Sequence, residues 1–424
     1  MNEKIKEYYK SILLNELVPA MGCTEPIAIA YAAAKAREIL GKMPNSIIVK
    51  CSGNIIKNVM GVVVPASDGM KGIDTSAVLG SIIGESHLKL EVLNAATSED
   101  ILRTKALINA GICSVELMEG VSNLNIIVES RYDDEYAIVE ISHTHTNIVR
   151  VEKNGTSVYE NGDNIIDRIH SKKNSYQMSI KDIWEYSNTL EVPEIEKVIS
   201  QQIDYNTRIA YEGLNNTYGV NIGSTLVKNF GSNVNVLAKA LPAAGSDARM
   251  SGCALPVVIN SGSGNQGMTV SLPVVVFSEH LKCSKEKLYR ALVLSNLISV
   301  YLKAYIGKLS AFCGAVTAAC GSGAGIAYLK DGNLDVICKT ITNTLGNVSG
   351  IVCDGAKPSC AAKIASAVDA AIIAHYLALE GNVFEPGEGL ISSDIEKTIM
   401  NFGRLGKVGM RFTDIEVLNI MIGN

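Results

Sequence analysis

Ala311-Phe-Cys-Gly-Ala-Val-Thr-Ala-Ala-Cys-Gly-Ser-Gly-Ala-Gly325 is the stretch that decides the fold of this chain. It lies in a run from Leu309 to Leu329 that holds no charged residue and is long enough to span a bilayer. Most of the run is Ala, Gly, Ser, Thr and Cys, and its glycines lower helix propensity and hydrophobicity together. We therefore predict a buried helix or helix pair that lines a site, and no membrane span.

Helical spacing of apolar residues dominates the chain on both sides of this run. Near the start, one predicted helix covers 3–17 and is ended by Pro19, and a second opens at Pro26 and is closed by Gly41. The clearest helices of the C-terminal part are predicted at 180–189, 193–213, 221–230, 284–306, 326–330, 334–346, 361–379 and 392–400.

The segment between these helical parts has the alternating pattern of strands. A helix is expected at 98–110, with Ser98 as its cap, and Asn154-Gly155 is a strong hairpin turn. Strands are predicted at 46–50, 88–93, 114–118, 125–130, 136–144 and 148–153. The fold class is therefore α+β, a mainly helical body carrying an inserted α+β domain. We predict a helical segment at 1–45 that packs with the C-terminal body, the inserted domain at 46–175, and the helical body at 176–424.

Composition limits the classes of function. The chain has 424 residues, 47% hydrophobic and 19% charged, with a net charge of −5, and this charge argues against a nucleic-acid partner. Ten cysteines are too few for a disulfide scaffold in a chain of this size. The first ten residues lack the apolar core of a signal peptide. We therefore expect a cytoplasmic protein whose thiols are free or bound to a ligand.

Three cysteines stand in small, glycine-rich surroundings: Cys313, Cys353 and Cys360. Gly355 and Pro358 make the segment between the last two a loop, and the helix that follows would favour a thiolate at Cys360. Three thiolates suit an iron–sulfur cluster that keeps one iron open for substrate. Zinc is an alternative, although the short ligand spacings of structural zinc sites are absent. Core packing is the third alternative, and it applies equally to Cys320, two helical turns after Cys313.

Gly262-Ser-Gly-Asn-Gln-Gly267 formally matches a dinucleotide-binding fingerprint. Pro273 would interrupt the helix that this motif requires, and the motif is not part of a recognisable strand–helix–strand unit. We instead predict a polar nest for a small carboxylate or, equally well, a buried tight turn. The polar residues of the nest are Ser261, Ser263, Asn265 and Gln266.

Two histidines, His143 and His145, alternate on a predicted strand and would share one face. Without a nearby third ligand, two such histidines are more often polar surface residues than metal ligands. We interpret them in that way.

Four blocks of the sequence together resemble the L-cysteine desulfidase family. They are Gly22-Cys-Thr-Glu-Pro26, Ser52-Gly-Asn-Ile-Ile-Lys-Asn58, Ser261-Gly-Ser-Gly-Asn-Gln-Gly267 and the spacing of the three cysteines. The C-terminal half is similar to the alpha chain of iron–sulfur L-serine dehydratases, but the seven-residue step from Cys353 to Cys360 is shorter than in that family. The Cys-Thr-Glu-Pro segment also replaces its serine-rich N-terminal loop. Both departures favour the desulfidase.

The resemblance implies that Cys313, Cys353 and Cys360 hold a 4Fe-4S cluster, which would make 176–424 the cluster-binding catalytic domain. The open iron would act as a Lewis acid on the leaving group of an amino-acid substrate. By the same resemblance Cys23 is the candidate base, with a pKa lowered by the cluster site or by the helix that begins near Pro26. The substrate carboxylate would be bound by the nest at 261–267 together with Asn54, Lys57 and Asn58.

Other functions stay open at this point. An L-serine dehydratase uses the same elimination, and Lys57 could instead form a pyridoxal Schiff base. A non-catalytic iron–sulfur sensor would need a partner surface, and no basic patch is visible. Helices rich in small residues are also compatible with a homodimer.

Overall fold

The computed structural model describes residues 1–160, 178–307, 309–330 and 332–423. The chain is 61% helical and carries a six-stranded mixed sheet, which confirms the predicted mainly helical α+β class. The predicted boundary at residue 175 lies outside the described residues, and the division at 45 and 175 stays a prediction.

The helices and strands follow one another in the order that the spacing predicted, with some additions. The helices are α1 Glu3–Glu16, α2 Thr24–Leu40, α3 Gly53–Met60, α4 Ile73–Ile83, α5 Ser98–Asn109, α6 Ile180–Thr189, α7 Glu196–Asn215, α8 Ile222–Phe230, α9 Val234–Met250, α10 Gly264–His280, α11 Lys285–Ile306, α12 Gly314–Lys330, α13 Leu334–Val348, α14 Cys360–Leu379, α15 Ile395–Arg404 and α16 Arg411–Ile422. The strands are β1 Pro19–Met21, β2 Ser46–Ser52, β3 Cys113–Met118, β4 Asn125–Tyr132, β5 Glu135–Ser142, β6 Ile148–Lys153, β7 Thr156–Glu160 and β8 Pro256–Val258.

The large sheet has the strand order β3-β2-β4-β5-β6-β7. β2 and β3 pair in parallel, with Ile47 opposite Cys113, and the other neighbours are antiparallel. Asn154 and Gly155 both have positive φ, 50° and 80°, and this is the geometry of the tight turn that joins β6 to β7. The predicted hairpin is therefore confirmed.

Helix α2 lies between the sheet and α4, and this explains why its side chains are buried nearly all round. At Gly80 on α4, an added Cβ would lie 2.3 Å from the carbonyl oxygen of Ala30, so only glycine allows the two helices to approach this closely. The N-terminus of α2 is thereby held firmly over the end of the sheet.

The small-residue stretch forms α12 at the centre of the helical body. An added Cβ at Gly321 would lie 2.5 Å from the Ser295 carbonyl on α11, and one at Gly325 would lie 2.7 Å from Val274 on α10. Gly323 faces the opposite side, toward Ala371 on α14. Small residues on several faces of α12 let the neighbouring helices approach its backbone closely. This confirms the predicted buried helix.

Long apolar helices occur in this body. Among the described residues one helix, Cys360–Leu379, is long and apolar enough to cross a membrane, and 56% of its apolar window is buried inside the protein. The run at 309–329 is not the segment that passes this test.

Several local predictions were wrong. The segment at 88–93 forms a 3₁₀ helix, Ser86–Glu91, in which Lys89 has φ 50° and breaks the strand pattern. The cap of α5 is Thr97, which forms a capping box with Asp100. Pro273 lies inside α10, so the glycine motif does precede a helix, although the strand before it pairs only with β1.

Candidate active site

Two turns that follow short paired strands form one wall of the site. β1 pairs antiparallel with β8, and Thr24 Oγ1 donates a hydrogen bond of 2.9 Å to the Gly262 carbonyl. Cys23 is the residue before α2, and Ser263 caps α10, its hydroxyl accepting from Gln266 N. The first block and the glycine motif, more than two hundred residues apart in sequence, are therefore neighbours.

Helix α3 brings the second block to the same place because it starts directly at the end of the central strand β2. Asn58 Nδ2 donates to Glu25 Oε1 at 2.9 Å. Lys57, whose side chain is 2% exposed, pairs with Asp414 on α16 and also lies 3.4 Å from the Cys353 carbonyl. Its ammonium is thus held by a protein carboxylate rather than left free for a substrate.

The three cysteines come from two loops that are joined by backbone hydrogen bonds. Phe312 and Val352 form an isolated β-bridge, with Cys313 N donating to Ile351 O at 3.1 Å and Cys353 N donating to Ala311 O at 2.6 Å. Cys360 is the first residue of α14. The loop is fixed from this helix by Lys363, which donates to the Val352 carbonyl at 2.8 Å and pairs with Asp354.

All eleven residues predicted for the site line one cavity of about 100 Å³. Gly314 shows how closely the parts approach, because an added Cβ there would lie 2.5 Å from Gln266 Cδ. The shared lining residues are Cys23, Asn54, Lys57, Asn58, Ser261, Ser263, Asn265, Gln266, Cys313, Cys353 and Cys360. The individual roles of these residues remain predictions.

Glu25 is the electrostatic centre of this cavity. Its carboxylate accepts from Cys23 Sγ at 3.0 Å and from Thr24 Oγ1 at 3.1 Å, in addition to Asn58, and His145 Nε2 lies 3.7 Å from Oε1. Burial alone would raise the pKa of this carboxyl, but the interactions with His145 and Cys23 hold it well below its usual range. Glu25 is therefore a buried carboxylate anion.

The environment of Cys23 differs from the prediction. Burial, followed by the charge of Glu25, raises the pKa of the Cys23 thiol well above its ordinary value, and Arg249 opposes this only in part. The positive end of α2 acts on the Glu25 carboxylate in its first turn as well as on the thiol. The helix start does not lower the pKa of Cys23 as the base role would require, and Cys23 is a thiol whose proton points at Glu25.

Four charged or ionisable cavity residues were not predicted for the site: Glu25, His145, Arg249 and Lys303. The interpretation of His145 as a surface residue was wrong. His145 is buried against Gly262, while His143 is exposed with φ 69°, so the two do not share a face. Arg249 ends α9, a helix that was not predicted, and donates to Asn265 Oδ1 at 3.1 Å. Lys303 is 4% exposed, and burial lowers its pKa against the opposing influence of Cys353 and Cys313.

The sequence was compared with known proteins. The family model for the serine dehydratase alpha chain matches residues 87–419. The chain is 53% identical over 411 residues to a UPF0597 protein of Lachnoclostridium phytofermentans, covering 97% of this chain and 98% of that one. It is 49% identical over 420 residues to UPF0597 protein DSY1109 of Desulfitobacterium hafniense, covering 99% and 97%. The chain belongs to the UPF0597 family.

The cavity of this UPF0597 protein is lined partly by residues inside the serine dehydratase alpha match and partly by residues outside it. The three cysteines, the glycine motif and His145 lie inside the serine dehydratase alpha match. Residues 1–86 lie outside it, and they supply Cys23, Glu25 and the polar side chains of α3. The UPF0597 site is therefore a serine dehydratase-like half completed by an N-terminal segment that the alpha-chain model does not cover.

The surroundings of Cys313, Cys353 and Cys360 bear on the iron–sulfur cluster that the resemblance implies. Burial and the neighbouring thiols of Cys353 and Cys360 raise the pKa of Cys313 to about 12, and burial also raises that of Cys360. Within the described parts of the chain, no three His, Cys, Asp or Glu side chains are arranged to hold a single metal ion. Three soft donors that line one cavity fit a cluster, because its thiolates bind different iron atoms.

Buried polar atoms without a hydrogen-bond partner surround the same cavity. They are Asn54 Oδ1, Asn58 Oδ1, His145 Nε2, Arg249 Nε and Gln266 Oε1. Such atoms are costly unless a ligand or water satisfies them. Their concentration at one place marks the cavity as a binding site.

A second cavity of about 760 Å³ adjoins the first and shares Asn54, Lys57, Leu309 and Ser310 with it. It lies between the loop that follows β3 and the C-terminal helix α16. No side chain of α16 is fully buried. The ion pair between Lys57 and Asp414 therefore stands at the junction of the two cavities.

Proposed function

We propose that this protein is a carbon–sulfur lyase that eliminates sulfide from L-cysteine and yields pyruvate, ammonia and hydrogen sulfide. The observation that carries the proposal is the single cavity in which three cysteines face the buried group of Cys23, Glu25 and His145. This arrangement supplies metal-binding thiols and proton-transfer groups within reach of one small substrate.

Cys313, Cys353 and Cys360 would hold a 4Fe-4S cluster in this proposal. When bound, the cluster would supply a Lewis-acidic iron without a protein thiolate, and a thiolate leaving group is a soft ligand for iron. The two loops that carry these cysteines are fixed by the Phe312–Val352 bridge and by the hydrogen bond from Lys363 to the Val352 carbonyl. Both contacts keep the thiols on the cavity wall.

The reaction removes the Cα proton of L-cysteine, and the Cβ–S bond breaks with its electron pair remaining on sulfur. The aminoacrylate that forms tautomerises to an imine, which water hydrolyses to pyruvate and ammonium. We assign the proton transfer to Cys23 acting together with Glu25 and His145. The charge of Glu25 contributes to the raised pKa of Cys23, and the hydrogen bond from Cys23 helps to lower the pKa of Glu25.

L-Serine dehydration is the second candidate, and the match to the serine dehydratase alpha chain favours it. Both reactions break a bond at Cβ and differ only in the leaving group. The contribution of Cys23 and Glu25 from outside the matched residues favours the desulfidase, because this part of the site is absent from the alpha-chain model.

The test is made on anaerobically purified protein by iron and sulfide analysis, a visible spectrum, and assays of sulfide and pyruvate release. We expect a brown protein that releases both products from L-cysteine. Faster turnover of L-serine than of L-cysteine would establish the dehydratase instead. An iron-free protein with the visible absorbance of a pyridoxal Schiff base would refute the cluster.

The ligand assignment is tested by single substitutions. Cys313→Ala, Cys353→Ala and Cys360→Ala should each lose the cluster, whereas Cys23→Ala should keep it and lose turnover. Cys320→Ala is the matched control, because this cysteine is fully buried in α12 seven residues after Cys313 and does not line the cavity. Retained colour in the first three variants would contradict the assignment.

A further inference from the structure

Arg249 is the strongest unexplained charge in the structure. Its side chain is 2% exposed, and Nε has no hydrogen-bond partner. Its contact with Asn265 Oδ1, at 3.1 Å, is to a neutral amide. No carboxylate of the described residues lies within 4.0 Å of the guanidinium. A buried guanidinium without a counter-charge is costly and indicates that an anion completes the site.

The guanidinium lies at the N-terminus of α10. An added Cβ at Gly264 would lie 2.4 Å from Arg249 Nε and 2.8 Å from Cζ, so the absence of a side chain at Gly264 makes room for it. Helix α10 spans 17 residues, and the positive end of its dipole adds to the charge of Arg249. Both features favour an anion at the same end of the cavity.

A residue of opposite charge, Glu25, lines the same cavity. Glu25 is a buried carboxylate whose direct hydrogen bonds come from neutral donors, Cys23, Thr24 and Asn58. A ligand that carries one negative and one positive group would therefore match the charges of both Arg249 and Glu25. An α-amino acid zwitterion has this pattern of charges.

We infer that Arg249 binds the α-carboxylate of the substrate and makes the site specific for free α-amino acids. The inference rests on the proposed function for the identity of the substrate. Arginine suits this role because its planar guanidinium can donate two parallel hydrogen bonds to one carboxylate. The nest at 261–267 then positions the guanidinium through Asn265.

The experiment measures the binding of L-alanine and L-alaninamide to anaerobically purified protein by titration calorimetry. Neither ligand has a leaving group at Cβ, so neither is consumed by elimination of sulfide or of water. They differ in the carboxylate alone. We expect the wild-type protein to bind L-alanine about 10- to 100-fold more tightly than L-alaninamide, as for a hydrogen-bonded charge pair.

Arg249→Lys and Arg249→Gln should reduce this preference to near unity and leave the affinity for L-alaninamide almost unchanged. Gly264→Ala is an independent variant, because its methyl group displaces the guanidinium without removing the charge. Arg208→Gln is the control, since Arg208 is exposed on α7 and pairs only with Asp204 at 3.7 Å. Circular dichroism verifies that each variant is folded.

Three results would overturn the inference: equal binding of acid and amide by the wild-type protein, no binding of either, or an equal loss of both ligands in the Arg249 variants. The wild-type comparison decides the matter even where a variant does not fold. Acid preference without sulfide release from L-cysteine would refute the proposed reaction and leave the role of Arg249 intact.

Discussion

Glu25→Gln is the substitution that tests the site most directly, because it removes one charge and keeps the shape of the side chain. The wild-type carboxylate is 7% exposed and receives hydrogen bonds from Cys23, Thr24 and Asn58. His145 Nε2 lies 3.7 Å from Glu25 Oε1. The glutamine keeps one acceptor oxygen but turns an NH₂ group toward donors that also carry hydrogens.

The expected loss of stability follows from these contacts. A buried donor that loses its acceptor costs about 1–3 kcal/mol, and the NH₂ group of the glutamine leaves at least one of the three donors in this state. The pKa of Glu25 is depressed in the folded protein, so its stabilisation is fully present above the unfolded-state value of about 4.3 and is lost as pH falls through the folded value. Between those two pH values, the wild-type advantage should shrink by up to about 1.4 kcal/mol per pH unit as the pH falls.

Urea denaturation followed by circular dichroism, at pH 7 and at pH 4, measures this difference. Sulfide release from L-cysteine is measured in parallel, and we expect it to fall by about 10²- to 10⁴-fold, the range for a displaced general base. Glu286→Gln is the control, because Glu286 is an exposed partner of Arg290 on α11. The reasoning is refuted if Glu25→Gln unfolds like the control at pH 7, or if its deficit is independent of pH.

Three further substitutions test separate parts of the structure. His145→Asn should keep the brown colour and lower sulfide release by about 10²-fold or more, and an unchanged rate would remove His145 from the proton-transfer group. Asp414→Asn leaves the buried Lys57 without its counter-charge and should increase proteolytic cleavage near α16; wild-type cleavage would show that the ion pair does not hold this helix. Burial raises the pKa of Asp247 to about 6, so the folded protein binds this proton more tightly than the unfolded chain, and the residue's contribution to stability falls as pH rises from about 4 to 6. Asp247→Asn should abolish that dependence in denaturation curves, and an unchanged pH profile would contradict the assignment.

The sequence predicted the elements of the fold well where a periodic pattern was long or a turn was chemically specific. The α12 helix and the Asn154-Gly155 turn are examples, because close helix packing and positive φ each demand particular residues. Helix α9 was missed, since its Ala-rich sequence contains Pro242 and lacks a one-sided apolar pattern. The 3₁₀ segment was mistaken for a strand because Lys89 turns the chain with a backbone angle that the apolar pattern does not reveal.

The eleven predicted site residues converge on one cavity, yet four of its charged or ionisable residues were not predicted: Glu25, His145, Arg249 and Lys303. The alternation of side chains along a predicted strand placed His145 wrongly, because the chain leaves β5 at Ser142 and turns before it reaches the histidine. Lys303 did leave a signal. It extends a line of buried polar residues along the otherwise apolar α11, after Asn296 and Ser299. Polar residues at helical spacing inside an apolar helix thus indicate a site wall.

Cys23 shows why position alone does not determine the chemistry of a thiol. A cysteine before a helix is expected to ionise easily, but here Glu25 stands in the first turn as an anion and accepts the thiol proton. Ionising Cys23 as well would place two negative charges about 3 Å apart in a buried site. A thiolate can therefore form only while positive charge is close by, and the cavity holds that charge in Arg249. The basicity of the site therefore depends on Cys23, Glu25 and their charged surroundings together. For this reason, removing the charge of Glu25 is a more direct test than removing the sulfur of Cys23.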